Sequence, residues 1–270
     1  MRKGWNAGAW IAAVGLTAIS APALAVSTWT ASSSSCWSNT NVAQGCSGGS
    51  GSATVIGSAY STTGSGSAFA TGSLVSYTGG FGVTASGEST NSPQHSMDNS
   101  GTTDAILLSF SSSVVLSQVT IGWAAYDSDF TLLRYTGSVA PTVVSKSMSG
   151  LLSSGWQAVG DYMNTVSNPA QSDSGSTVNA TANVNSGSLA SSWWLISAYN
   201  SSYSAPDFGG SADSTSDYIK ILSVAGSPQS TQVVSEPGSM ALVALALGGM
   251  LWSSRRRLGA IVPRPVGLAA

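Results

Sequence analysis

The sequence predicts an all-β fold, an antiparallel β-sandwich of jelly-roll or Greek-key type, flanked by an N-terminal signal helix and a short C-terminal hydrophobic helix. Three observations predict it. Charged residues make up only 7% of the 270 residues while glycine alone contributes 31. Polarity therefore comes from Ser and Thr hydroxyls, which suits exposed strands and turns and disfavours a helical bundle. Apolar positions in the middle of the chain alternate with a period of two, and no helical period is visible. Clusters of Gly, Ser, Asn and Asp divide these runs at short intervals, as turns between antiparallel strands do.

Taken in order, residues 1–25 read as a secretory signal peptide. Arg2 and Lys3 precede an apolar stretch from Ala9 to Ile19, then Pro22 and the small-residue site Ala23-Leu24-Ala25, with cleavage expected after Ala25. The apolar core is shorter than the roughly 20 residues that a membrane-spanning helix needs. Residues 26–52 form a Ser/Gly-rich loop holding Cys36 and Cys46, the only cysteines, which are expected to pair in an oxidising compartment. Two sulfurs and one distant histidine do not make a zinc site, and the spacing is not the C-x-x-C of a redox pair.

Residues 53–226 are the β domain. In the run Val115 to Trp123, the alternation places Val115, Val119, Ile121 and Trp123 on one face with Ser117, and Gln118, Thr120 and Gly122 on the other. In Ala105 to Phe110, Ile106, Leu108 and Phe110 share a face. Further strands are expected at Ala53 to Tyr60, Ala68 to Tyr77, Phe130 to Tyr135, Thr142 to Lys146, Trp156 to Met163, Thr177 to Val184, Trp193 to Tyr199 and Tyr218 to Val224. Between Val26 and Ser235 three basic residues, Arg134, Lys146 and Lys220, face ten acidic ones, a net charge of −7. So acidic a domain has no means of binding nucleic acid by counter-ion release, and nucleic acid is excluded as a partner.

Residues 227–235 are a linker, residues 236–258 a tail and residues 259–270 a disordered extension. The tail runs from Glu236-Pro237 through the apolar stretch Met240 to Trp252 to Arg255-Arg256-Arg257. Its thirteen apolar-run residues span about 20 Å as a helix, short for a bilayer core of about 30 Å. The arginines stay on the cytoplasmic side by the positive-inside rule, so the domain lies outside and the tail holds it at the inner membrane transiently.

The order Glu-Pro, short apolar helix, Arg cluster resembles the PEP-CTERM sorting signal of proteins handled by exosortases, membrane-embedded cysteine proteases of diderm bacteria that make extracellular polysaccharide. Two further sets of residues are similar to the exosortase-dependent surface proteins that carry such tails. One is Gln94-His95-Ser96-Met97-Asp98-Asn99 with Thr103 to Phe110, Ile121-Gly122-Trp123, Asp127-Ser128-Asp129 and Leu132 to Gly137. The other is Trp193 to Asn200 with Asp217 to Leu222. The resemblance implies recognition at Glu236 and Pro237, an exosortase-type protease and extracellular polysaccharide as partners, and delivery to the cell surface or beyond. It assigns no catalytic residue, so the expected function is that of a non-enzymatic surface or extracellular-matrix protein. The alternative is a carbohydrate-binding module or a secreted glycan hydrolase.

Asp127 and Asp129, with Asp98, Asn99 and Asp104 near them in sequence, are the best candidates for a site. Hard oxygen ligands of this kind bind calcium, and the competing role is to cap turns by accepting backbone N–H bonds. No EF-hand loop follows Asp127, which lacks the glycine and glutamate that motif needs. On a strand the two carboxylates share a face at roughly 6.8 Å, within the range of a glycosidase pair. His95, the sole histidine, has no G-x-S-x-G elbow near it and reads as a hydrogen-bonded structural residue at a loop. Trp193 and Trp194 are adjacent, so on a strand they point to opposite faces and at most one is core. The other, with Tyr199 and Tyr203, offers a sugar platform.

Overall fold

The computed structural model describes residues 26–31, 46–47, 53–64 and 68–229. The signal peptide with Ala23 and Ala25, the Cys36 end of the expected disulfide, and the tail with Glu236, Pro237, Arg255, Arg256 and Arg257 lie outside the described residues. No helix among the described residues is long and apolar enough to cross a membrane.

The described chain is all-β. Its strands are β1 (Ser27–Thr30), β2 (Cys46–Ser47), β3 (Thr54–Thr62), β4 (Phe69–Thr71), β5 (Ser73–Tyr77), β6 (Gly80–Thr84), β7 (Met97–Asp98), β8 (Asp104–Tyr126) and β9 (Phe130–Tyr135). A five-residue helix, α1 (Met148–Leu152), separates these from β10 (Trp156–Tyr162), β11 (Ser176–Asn183), β12 (Ser191–Ala198), β13 (Asp207–Phe208) and β14 (Asp217–Pro228). Hydrogen bonding runs in the order β13-β10-β9-β12-β8-β14-β6-β5. The named strands pair antiparallel except β13, which runs parallel to β10.

Everything is organised around β8, a 23-residue strand that the sequence presents as two. Its first half pairs with β3 and β12, and its second half with β11 and β14. One core cluster draws residues from both groups, Val55, Ile106, Phe110 and Trp194 together with Phe81, Val119, Ile121 and Ile219. The expected face for Ile106, Leu108 and Phe110 is the observed one. The expected face for Val115 is not. Opposite Leu116 and Gln118, β14 steps from Gly226 to Ala225, so Ser117 is one residue too many and the faces exchange there. Val114 and Leu116 fill the core before this bulge and Val119 and Ile121 after it, leaving Val115 only half-buried. A second irregularity around Gly122 sends Trp123 out of the main core into a small cluster with Ala125 and Tyr218. Alternation cannot register a bulge, because one inserted residue inverts every assignment beyond it.

The other face of the first half of β8 is covered as well. Ala105 and Leu107 pack with Leu133, Leu195, Met148 and Leu151, the last two from α1. This corrects the strand expected at Thr142 to Lys146. That segment is irregular, because Ser145 turns at φ 65° and the Ser147 side chain accepts a hydrogen bond from Gly150 N to cap α1. The run Ala68 to Tyr77 also divides, at Gly72, into β4 and β5. β6 was not expected at all, since its glycines hide the alternation. Gly82 is required by a close approach, as a Cβ there would sit 1.9 Å from the His95 carbonyl oxygen.

The expected loop at 26–52 is partly strand. β1 pairs with β14, and Trp29 enters the main core at 1% exposure, edge-on to Phe110 at 4.9 Å, with its indole N–H donating to the Ala53 carbonyl at 2.7 Å. At the other end Ser227 and Pro228, expected in the linker, continue β14 against Val115 and Val114.

Candidate metal centre

The turn from β8 to β9 is Asp127-Ser128-Asp129, entered through Tyr126 in the left-handed region at φ 59°. That turn removes Asp127 and Asp129 from the common strand face expected of them. Both side chains point inward and are buried, together with Asp217 from the first position of β14. One carboxylate oxygen from each of the three lies within 4.8 Å of the others.

Backbone donors hold this group together. Asp127 Oδ1 accepts from Ser128 N at 2.8 Å, Asp129 Oδ1 from Asn164 N at 2.6 Å, and Asp217 Oδ1 from Asp129 N at 2.5 Å. Asn99 Nδ2 donates to Asp217 Oδ2 at 2.6 Å and to the Tyr199 carbonyl at 3.1 Å, and its Oδ1 accepts from Asp217 N at 2.9 Å. Ser128 Oγ accepts from Val166 N at 2.9 Å. Turn-capping by carboxylates, one of the two roles open to Asp127 and Asp129 from the sequence, is thus what their contacts describe. Burial pushes Asp129 up to about 6, and the charges of Asp127, Asp213 and Asp161 add to that. Asp217 is raised well above the ordinary carboxylate range, by burial first and by the charge of Asp129 second.

A second acidic group joins Glu88, from the turn after β6, to Asp98 at the end of β7 and Asp104 at the start of β8, again with oxygens within 4.8 Å. Both aspartates are fully buried and Glu88 is half-buried. Burial raises Asp98 and Asp104 far above the usual range, and Asp104 and Glu88 push Asp98 further. Asp98 and Asp104 were legible as candidates. Glu88 and Asp217 were not, since no motif marks Glu88 in the turn after β6, and no spacing relates Asp217 to Asp129, 88 positions away.

A cavity of about 270 Å³ is lined by Asn99, Thr103, Tyr199, Asn200, Asp213 and Thr215. Its size lies just below the roughly 300–1,000 Å³ of small-molecule pockets. The aromatic platform expected near it is mostly core. Trp194 is fully buried with its indole N–H shared between the Val114 and Ser191 carbonyls, and Tyr203 is 1% exposed. Trp193 is half-buried against Tyr135 at a ring separation of 5.8 Å, and Tyr199 alone reaches the cavity.

His95 is buried, with Tyr77 edge-on at 4.2 Å and Lys220 Nζ at 2.8 Å from its Nε2. Lys220 also lies over the Trp123 ring at 4.1 Å. Burial lowers both residues, Lys220 to about 8, so the ammonium donates to a neutral imidazole.

Compared with known proteins, the chain matches no family model, no curated protein and no solved structure.

Proposed function

We propose that this chain is an exported, non-enzymatic surface or extracellular-matrix protein, recognised at Glu236 and Pro237 by an exosortase-type membrane protease and held only transiently at the inner membrane. The observation that carries this reading is the order of Glu236-Pro237, the apolar run Met240 to Trp252 and Arg255-Arg256-Arg257, which follows an acidic β domain and is preceded by a signal-like N-terminus. A domain whose polarity is mostly hydroxyl and whose net charge is negative suits an aqueous polysaccharide setting. The two strand groups that share β8 are read as the layers of a β-sandwich, a reading supported by the single core cluster to which both contribute.

A carbohydrate-binding role is the second reading, and it now rests on Tyr199 beside Asn99, Asn200 and Asp213 in the cavity. Mass spectrometry of the mature protein from its native host tests the first reading. The expected polypeptide begins near Val26 and ends close to Pro237. An intact chain carrying Arg255-Arg256-Arg257, stably embedded in the inner membrane, overturns it.

A further inference from the structure

The group of Glu88, Asp98 and Asp104 is built unlike the one at Asp217. In each carboxylate one oxygen is held by a backbone donor. Ala85 N donates to Glu88 Oε2 at 2.8 Å, Ser100 N to Asp98 Oδ1 at 2.9 Å, and Asp98 N to Asp104 Oδ2 at 3.4 Å. The other oxygen of each aspartate, Asp98 Oδ2 and Asp104 Oδ1, is buried and has no hydrogen-bond partner. Both residues are 0% exposed, so water does not satisfy these atoms from the surface. Two orphaned carboxylate oxygens in one buried group are expensive to leave empty of any counter-charge.

Two of the described basic residues are engaged elsewhere. Arg134 is engaged by Gln157 and the Ala190 carbonyl, and Lys220 by His95. A proton on the aspartates is the competing solution, since burial raises both far above the ordinary carboxylate range, and calcium titration separates the two. A hard cation meets the need directly. Calcium at about 2.3–2.6 Å from each ligand places opposed oxygens about 4.6–5.2 Å apart, whereas magnesium at about 2.0–2.1 Å draws them to about 4.2 Å or less. The three ligand oxygens lie within 4.8 Å of one another, close enough to share one such ion, and a set of protein carboxylates is what calcium takes, whereas magnesium keeps several waters.

We propose that Glu88, Asp98 and Asp104 form a calcium site that ties the turn after β6 to the junction of β7 and β8. The ion neutralises the buried carboxylates and fixes the segment from Asp98 to Asp104, whose Asn99 and Thr103 stand on the cavity wall. The site stands independently of the export reading. With three carboxylate ligands and the remaining positions left to water, its affinity belongs to the weak class, with a dissociation constant of about 10⁻⁵–10⁻³ M.

The test is calcium titration of the full chain after treatment with chelator, by calorimetry and by the midpoint of thermal unfolding. Calcium at 5 mM, about the top of the range such sites need, is expected to raise the midpoint by several degrees, and magnesium at the same concentration by much less. Asp104→Asn and Glu88→Gln are each expected to weaken calcium binding at least tenfold. Asp104→Asn is nearly isosteric and deletes a buried charge, so in chelator its midpoint should equal or exceed that of the parent. Glu88 is half-buried and Glu88→Gln is expected to fold, which keeps the test open if the first fails. The assignment is overturned by the absence of any calcium-dependent shift or by wild-type affinity in Glu88→Gln. It is equally overturned by magnesium binding as tight as calcium, or by a calcium site lost in Asp127→Asn but kept in Glu88→Gln.

Discussion

The two acidic groups have the same composition class, yet only one of them holds buried carboxylate oxygens without a partner. At Asp127, Asp129 and Asp217 the chain brings donors to the carboxylates from Ser128, Asn164, Asp129 and Asn99. At Asp98 and Asp104 it brings one donor to each and leaves the second oxygen bare. A cluster of aspartates is therefore not one kind of object. Where donors converge, the carboxylates act as acceptors that fix turns. Where they do not, the free lone pairs await a cation.

The largest expected effect that can break this comparison is at Asp217. Asp217→Ala strips the acceptor from Asp129 N and from Asn99 Nδ2, both part of a buried network. The expected loss is about 3–5 kcal/mol in urea denaturation, the same with calcium as with chelator. A loss that vanishes in chelator would make Asp217 a metal ligand and erase the distinction drawn here.

A smaller effect comes from Lys220, a buried cation bonded to His95 rather than to a carboxylate. Its folded-state value is lowered to about 8, against about 10.5 when unfolded, by burial among Tyr77, His95 and Trp123. Below pH 8 both states are protonated and the fold carries the full cost of the buried ammonium. As pH rises from about 8 to about 10.5 the folded state releases its proton first, so Lys220 adds stability over that window, at most about 3 kcal/mol and less with solvent screening. In Lys220→Met this rise should disappear from unfolding curves measured between those pH values. A slope that persists in the variant would assign it to other groups.

The smallest effect sharpens the picture of the bonded group. Ser128→Ala leaves Val166 N without its acceptor and should cost about 1–2 kcal/mol by the same denaturation assay, with calcium affinity unchanged.

Much of the fold was written locally. Phe130 to Tyr135 is a strand to the residue, and Ile106, Leu108 and Phe110 face the core as their alternation says. The errors cluster where one residue is out of step or missing a side chain. Ser117 inverts the faces of β8, and Gly80 and Gly82 conceal β6 behind residues with no hydrophobicity to alternate. The candidate site was half-visible for a similar reason. Asp98, Asp104, Asp127 and Asp129 carry recognisable short patterns, while Glu88 sits unmarked in a turn and Asp217 reaches Asp127 and Asp129 only through the pairing of β14 with β8.

By itself the sequence determined composition, the strand-forming runs, the acidic balance of the domain and the terminal segments that suggest export, because these depend on residue types within a few positions of one another. Only the tertiary structure decided which carboxylates meet, which of their oxygens find a donor and which tryptophan is sealed in the core. Those outcomes depend on register and bulges, which position partners far apart along the chain to within an ångström or two, and alternating hydrophobicity does not encode distance at that scale.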